Sequence, residues 1–132
     1  SDVVIMAAAV SDYRVRKIAG QKIKKTTEAF TLDLVKNPDI LSALGKRKSI
    51  EQILVGFAAE TQNLLTFAKE KLQRKNLDMI IANDVSQKNV GFNYDTNMVK
   101  IITRDAAVED IPLMSKKALA AIIIDKIRNL KK

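Results

Sequence analysis

The residues best equipped for chemistry lie in one stretch, AAAVSDYRVRKIAGQKIKK, from Ala7 to Lys25. Residues 3–10 form an apolar run rich in β-branched and small side chains, which reads as a strand covered on both faces. Asp12 follows it, and then come Arg14, Arg16, Lys17, Lys22, Lys24 and Lys25 around Gly20. In open α/β sheets, ligands sit outside the carboxyl ends of the strands. One carboxylate and a crowd of cations at such an end suit a polyphosphate and its metal. Asp12 offers a hard oxygen to Mg²⁺ or to a ribose hydroxyl, and it serves as well as a turn or cap carboxylate. Lys22, Lys24 and Lys25 offer mobile charges to a triphosphate whose leaving group gains charge in the transition state. A basic loop that only faces water is the plainer account of the same run.

Similar signals recur further along. Asn37-Pro38-Asp39-Ile40 has the composition of a helix start, and free N–H groups at helix starts bind anions or ligand hydroxyls. Gly56-Phe57-Ala58-Ala59-Glu60-Thr61 ends a strand: its small residues allow a ligand close, and Phe57 can stack on a base or fill the core. Lys71 and Lys75 are four residues apart and share a helix face, toward a phosphate or toward water. Ala82-Asn83-Asp84-Val85-Ser86 closes another strand, either to hold a substrate amide or to build an Asx turn. No single motif decides. The joint placement does: Asp12, Phe57 and Asn83 each stand at the carboxyl end of an expected strand.

The elements that position them follow from periodicity. Residues 11–28 read as a flap and 30–34 as a half-buried strand. A helix opens with Asn37 as its cap and Pro38 at its first position, and closes near Gly45. A strand at 53–57, a helix at 64–75 and a strand at 77–82 come next. A turn-rich stretch occupies 85–96, followed by strands at 98–103 and 111–114 and a helix at 116–130. Pro112 marks the short strand as an edge. The expected fold is α/β, a Rossmann-like three-layer sandwich with a mostly parallel sheet, in one domain spanning 1–132.

Composition narrows the chemistry. The 132 residues include no Cys and no His, which removes disulfides, thiolates and imidazole bases. The net charge of +8 suits anionic partners, but aromatic residues are 5% and no nucleic-acid-binding signature occurs. No apolar run reaches membrane-span length. The expected partners are therefore small phosphorylated molecules rather than nucleic acid or membrane, in a cytoplasmic setting. Neither GxGxxG nor a Walker A loop is present, which counts against a Rossmann-type dehydrogenase fragment. A non-catalytic basic nucleic-acid-binding domain is the competing class.

The segments AAAVSDYR, KIKK, LVKNPDIL, VGFAAET, KNLDMIIANDVS and GFNYDTN, in this order, resemble the phosphopantothenate–cysteine ligase family. This is the synthetase domain of bacterial coenzyme A biosynthesis, commonly the C-terminal half of a bifunctional protein with a flavin-dependent decarboxylase. The resemblance implies CTP and Mg²⁺ as co-substrate and metal, with 4′-phosphopantothenate and L-cysteine as substrates. FMN would belong to a fused decarboxylase domain and not to this chain. It implies that Asp12 meets the nucleotide and its metal, and that Lys22 is the catalytic flap lysine. Asn37, Pro38, Asp39, Ile40, Phe57, Lys71 and Lys75 would hold the nucleotide. Ala8, Ala9, Val10 and Asn83 would lie near the substrate. The KxKK flap favours CTP over the ATP of eukaryotic relatives. The family is typically a homodimer. It also carries a glycine- and serine-rich segment that would lie upstream of Ser1, along with the first strands and part of the substrate site.

Overall fold

Alternation along three consecutive buried strands sets the layers. Ile53 and Val55, Met79 and Ile81, and Val99 and Ile101 project to one face, where they pack with Leu119, Ile123 and Ile127. Leu54 and Ala58, Ile80 and Ala82, and Ile102 project to the other, against Leu41, Ala68 and Leu72. Both faces of one sheet are thus covered by helices, which is the expected sandwich. The computed structural model describes residues 1–24, 29–60, 62–84 and 95–130. They fall into two compact units: Ser1–Ala7 with Leu41–Lys132, and Ala8–Ile40.

In chain order the elements are β1 (Val3–Met6), β2 (Tyr13–Val15), β3 (Leu34–Lys36), α1 (Ile40–Arg47), β4 (Ile53–Glu60), α2 (Leu64–Arg74), β5 (Met79–Asp84), β6 (Thr96–Thr103), β7 (Val108–Ser115) and α3 (Lys116–Leu130). The main sheet has the order β1-β4-β5-β6-β7. β1, β4 and β5 are parallel. β6 and β7 extend the sheet as an antiparallel hairpin, with β7 carrying Pro112 at its edge. No helix among the described residues is long and apolar enough to cross a membrane.

Several boundaries differ from the expectation for identifiable reasons. β1 stops at Met6, where its pairing with β4 ends, and the alanines that follow offer little surface to bury. The strand expected at 30–34 lies instead at Leu34–Lys36, paired with Tyr13–Val15 inside the stretch read as a flap. Phe30 and Leu32 are exposed, so their alternation marks no buried face. α1 starts at Ile40, not at Pro38, and the Asn37 side chain is bonded to Ser11 and Arg14 rather than to the helix start. Gly45 lies inside α1 and does not end it. A Cβ there would fall 1.8 Å from the Lys75 carbonyl oxygen, so glycine permits the close approach of α1 to the end of α2. At Gly56 a Cβ would meet Leu77 and Leu41 at 2.9 and 3.0 Å, and its absence lets both leucines seat on β4.

The amino ends of the strands are tied by Asp78. Its carboxylate accepts from Lys48 Nζ at 2.5 Å and from the Leu54 amide at 2.7 Å, and it pairs with Arg104 at 3.2 Å. Asn76, in the left-handed region at φ 53°, donates to the Gly45 carbonyl at 2.8 Å and accepts from Arg104. In the neighbouring β6–β7 turn, the Thr103 hydroxyl and then the Ala107 amide hold the Asp105 carboxyl below its ordinary range. The side chains of Lys48 and Asp78 are only 9% and 18% exposed, so removing one partner strands a charge. Asp78→Ala is expected to lower stability by about 2–4 kcal/mol. A urea titration should show a lower midpoint with an unchanged slope, whereas an unmoved midpoint would deny Asp78 this role.

Candidate functional site

Within residues 8–40, the hairpin of β2 and β3 brings together two segments far apart in sequence. The Asn37 amide N–H donates to the Asp12 carbonyl at 2.8 Å, and its side-chain Nδ2 donates to the Ser11 carbonyl at 2.7 Å. Asn37 Oδ1 in turn accepts from Arg14 at 3.0 Å, and the same Arg14 nitrogen reaches the Lys36 carbonyl at 3.1 Å. Asn37 therefore clasps the base of the hairpin and does not cap α1; Asp39 is the residue immediately before that helix. Higher up, Arg16 closes on Asp33, with a 2.6 Å ion pair and a 2.8 Å backbone bond.

The candidate residues are placed accordingly. The Asp12 carboxylate is exposed and accepts from no donor among the described residues, and the Lys22 ammonium is likewise exposed and unpaired. Ala8, Ala9 and Val10 lie between β1 and β2, exposed. Pro38 precedes α1, and Ile40 opens it with its side chain about half exposed. Arg14 enters the sequence reading only as one cation of the basic run, and its partner is what the structure adds. Its contact with Asn37 spans 23 residues and leaves no trace in local spacing. Lys25 of the basic run, Thr61 and the turn-rich residues 85–94 lie outside the described residues.

In the sheet unit, Phe57, Lys71 and Asn83 lie in or beside the carboxyl-terminal halves of β4 and β5. Phe57 is half-buried against the α3-side cluster, and its carbonyl accepts from Lys71 Nζ at 2.9 Å. β4 continues past Phe57 to Glu60, so the GFAAE segment is strand and not turn. Asn83 stands opposite Ala59 and Val99, and its Oδ1 is buried without a hydrogen-bond partner among the described residues. Lys75 is the C-cap residue of α2, its amide bonded to the Lys71 carbonyl. That places it one turn from Lys71, toward the amino ends of the strands. A cleft of about 750 Å³ opens at that same end, beside the β6–β7 turn and the last turns of α3. None of the residues singled out by the sequence lines it.

Comparison with known proteins gives the chain its family. Residues 1–130 match the family model described as "DNA/pantothenate metabolism flavoprotein C-terminal domain". The chain is 46% identical to the coenzyme A biosynthesis bifunctional protein CoaBC of Bacillus subtilis, over all of this chain and 32% of that protein. It is 47% identical to the protein of the same name from Haemophilus influenzae, over 96% of this chain and 31% of that protein. The chain thus spans about a third of the length of these relatives. A crystal structure of the C-terminal domain of a CoaBC protein superposes with a TM-score of 0.73 at 37% identity, covering 96% of this chain and 53% of that one. By sequence and by fold, the chain belongs to the family of DNA/pantothenate metabolism flavoprotein C-terminal domains.

Proposed function

We propose that this chain is the synthetase part of a CTP-dependent phosphopantothenate–cysteine ligase in coenzyme A biosynthesis. In the first step the carboxylate of 4′-phosphopantothenate attacks the α-phosphate of CTP and pyrophosphate leaves. In the second, the L-cysteine amine displaces CMP from the acyl-cytidylate. The observation that carries the reading is the junction of the SDYR and NPDI segments through Asn37, which joins two stretches that the resemblance gives to the nucleotide. Membership of the family and the names of the bacterial relatives support the same pathway.

In this reading Asp12, Lys22, Asn37, Pro38, Asp39, Ile40, Phe57, Lys71 and Lys75 are the nucleotide-binding residues. Ala8, Ala9, Val10 and Asn83 serve the substrate. A buried acceptor with no donor is costly, and a ligand N–H or O–H would satisfy Asn83 Oδ1. The residues also fit Mg²⁺. No group of three or more carboxylates gathers among the described residues, and Mg²⁺ is usually held by one or two carboxylates together with substrate phosphates. Asp12 would be that carboxylate, and the bound ion would neutralise phosphate charge. Lys22 would stabilise charge on the departing pyrophosphate. No imidazole or thiol is needed, since the substrate carboxylate is already ionised at neutral pH.

The hairpin unit exposes the side chains of Tyr13, Ile18, Ile23, Phe30, Leu32 and Leu34, and a homodimer, typical of the resembled family, is part of the reading. A fused or associated flavin decarboxylase, holding the FMN, and a cytoplasmic setting complete the reading. CTP with Mg²⁺ should raise the melting temperature of the chain more than ATP or GTP does. Equal shifts for all three nucleotides would remove the CTP assignment. For Lys22→Gln, turnover should fall by about a hundredfold while the melting temperature stays put, because the side chain is exposed. Unchanged turnover would take Lys22 out of catalysis.

A further inference from the structure

The Phe57 carbonyl lies where β4 loses one neighbour. β1 pairs with β4 only as far as Met6 opposite Gly56, whereas β4 runs on to Glu60 beside β5. A strand carbonyl beyond the end of its ladder needs another donor. Lys71 Nζ supplies one at 2.9 Å, in a part-buried setting. The base of the lysine is fixed as well, because α2 buries Ala68 and Leu72 on either side of it in sequence.

We propose that the main-chain carbonyl of Phe57 is a positioning group for Lys71, holding its ammonium in place before a nucleotide phosphate arrives. The inference rests on the nucleotide reading above and adds to it a role for the backbone of Phe57, separate from its ring. A lysine that is mobile until binding must surrender its rotamer freedom then, which weakens affinity roughly three- to tenfold. A held lysine has already surrendered it. A carbonyl is a neutral acceptor and bonds an ammonium more weakly than a phosphate does. The ring of Phe57 packs against the α3-side cluster. The site for the ammonium is therefore built on a strand fixed from both faces.

The absence of cysteine makes a direct test available. Lys71→Cys gives a single thiol. Its thiolate can displace bromide from 2-bromoethylamine, restoring an ammonium at the length of lysine. Disulfide exchange with cystamine, releasing cysteamine, gives the same charge on a side chain one atom longer. Binding of CTP and of cytidine is measured for each form with Mg²⁺, and the lysine ammonium resonances are recorded by ¹⁵N NMR without ligand. The wild-type chain should show an ordered ammonium resonance that is lost in Lys71→Met. The thioether form should recover the wild-type preference for CTP over cytidine, and the disulfide form should fall three- to tenfold short. Equal preference in the two charge-restored forms, or no ordered ammonium in the wild-type chain, would overturn the proposal. Failure of the nucleotide reading is distinguishable: the wild-type chain would then bind no CTP although the ordered resonance is present.

Discussion

The carboxylate of Asp78 is the constraint from which the sheet unit is organised. It receives the end of α1 through Lys48, the backbone of β4 through Leu54 and the β6–β7 turn through Arg104. Main-chain bonds run alongside: the Asp78 amide donates to the Leu54 carbonyl, and the Arg104 amide donates to the Asp78 carbonyl. Two cations and an amide on one carboxylate compensate for its partial removal from water. With the amino ends fixed, the register leaves no freedom at the other end. Ala59, Asn83 and Val99 come into line, and Asn83 is carried close to the end of β5 with its amide oxygen unsatisfied among the described residues.

The hairpin unit solves a different problem with different means. It has little apolar burial and exposes large side chains such as Ile18 and Phe30. Polar bonds shape it instead: Asn37 to Ser11 and Asp12, Arg14 to Asn37, and Arg16 to Asp33. Exposed ion pairs contribute little stability in water, so these contacts set geometry more than they hold the chain together. That division suits the proposed reaction. Acyl-nucleotide formation asks for alignment and charge neutralisation rather than a strong base.

The sheet and its helices were legible because burial writes a period into the sequence. Ala68 and Leu72 in α2, and Leu119, Ile123 and Ile127 in α3, recur at helical spacing, while β4 and β5 are apolar on both faces. The hairpin was not legible, because its pairing depends on contacts between residues far apart in sequence, such as Val15 with Leu34 and Tyr13 with Lys36. Asn37 illustrates the limit. Asn-Pro-Asp has the local chemistry of a helix start, yet its side chain is taken by Ser11 and Arg14. Gly45 is similar: read as a helix end, it is a point of helix-to-helix approach that only the tertiary fold reveals. Of the candidate site, Asn83 near the carboxyl end of β5 could be read directly, whereas Asp12 lies well past the end of β1, just before β2, and Phe57 lies inside β4 and not at its end. The Asp12–Asn37 junction and the Lys71–Phe57 bond could not be read, since neither has a sequence period.

The central claim is that a carboxylate is activated on CTP before the amine enters. Its most direct test follows pyrophosphate in protein supplied with CTP, Mg²⁺ and 4′-phosphopantothenate but no cysteine. The account predicts release of up to one pyrophosphate per active site, with CMP appearing only once cysteine is added. Pyrophosphate that appears only after cysteine, or without phosphopantothenate, would contradict it.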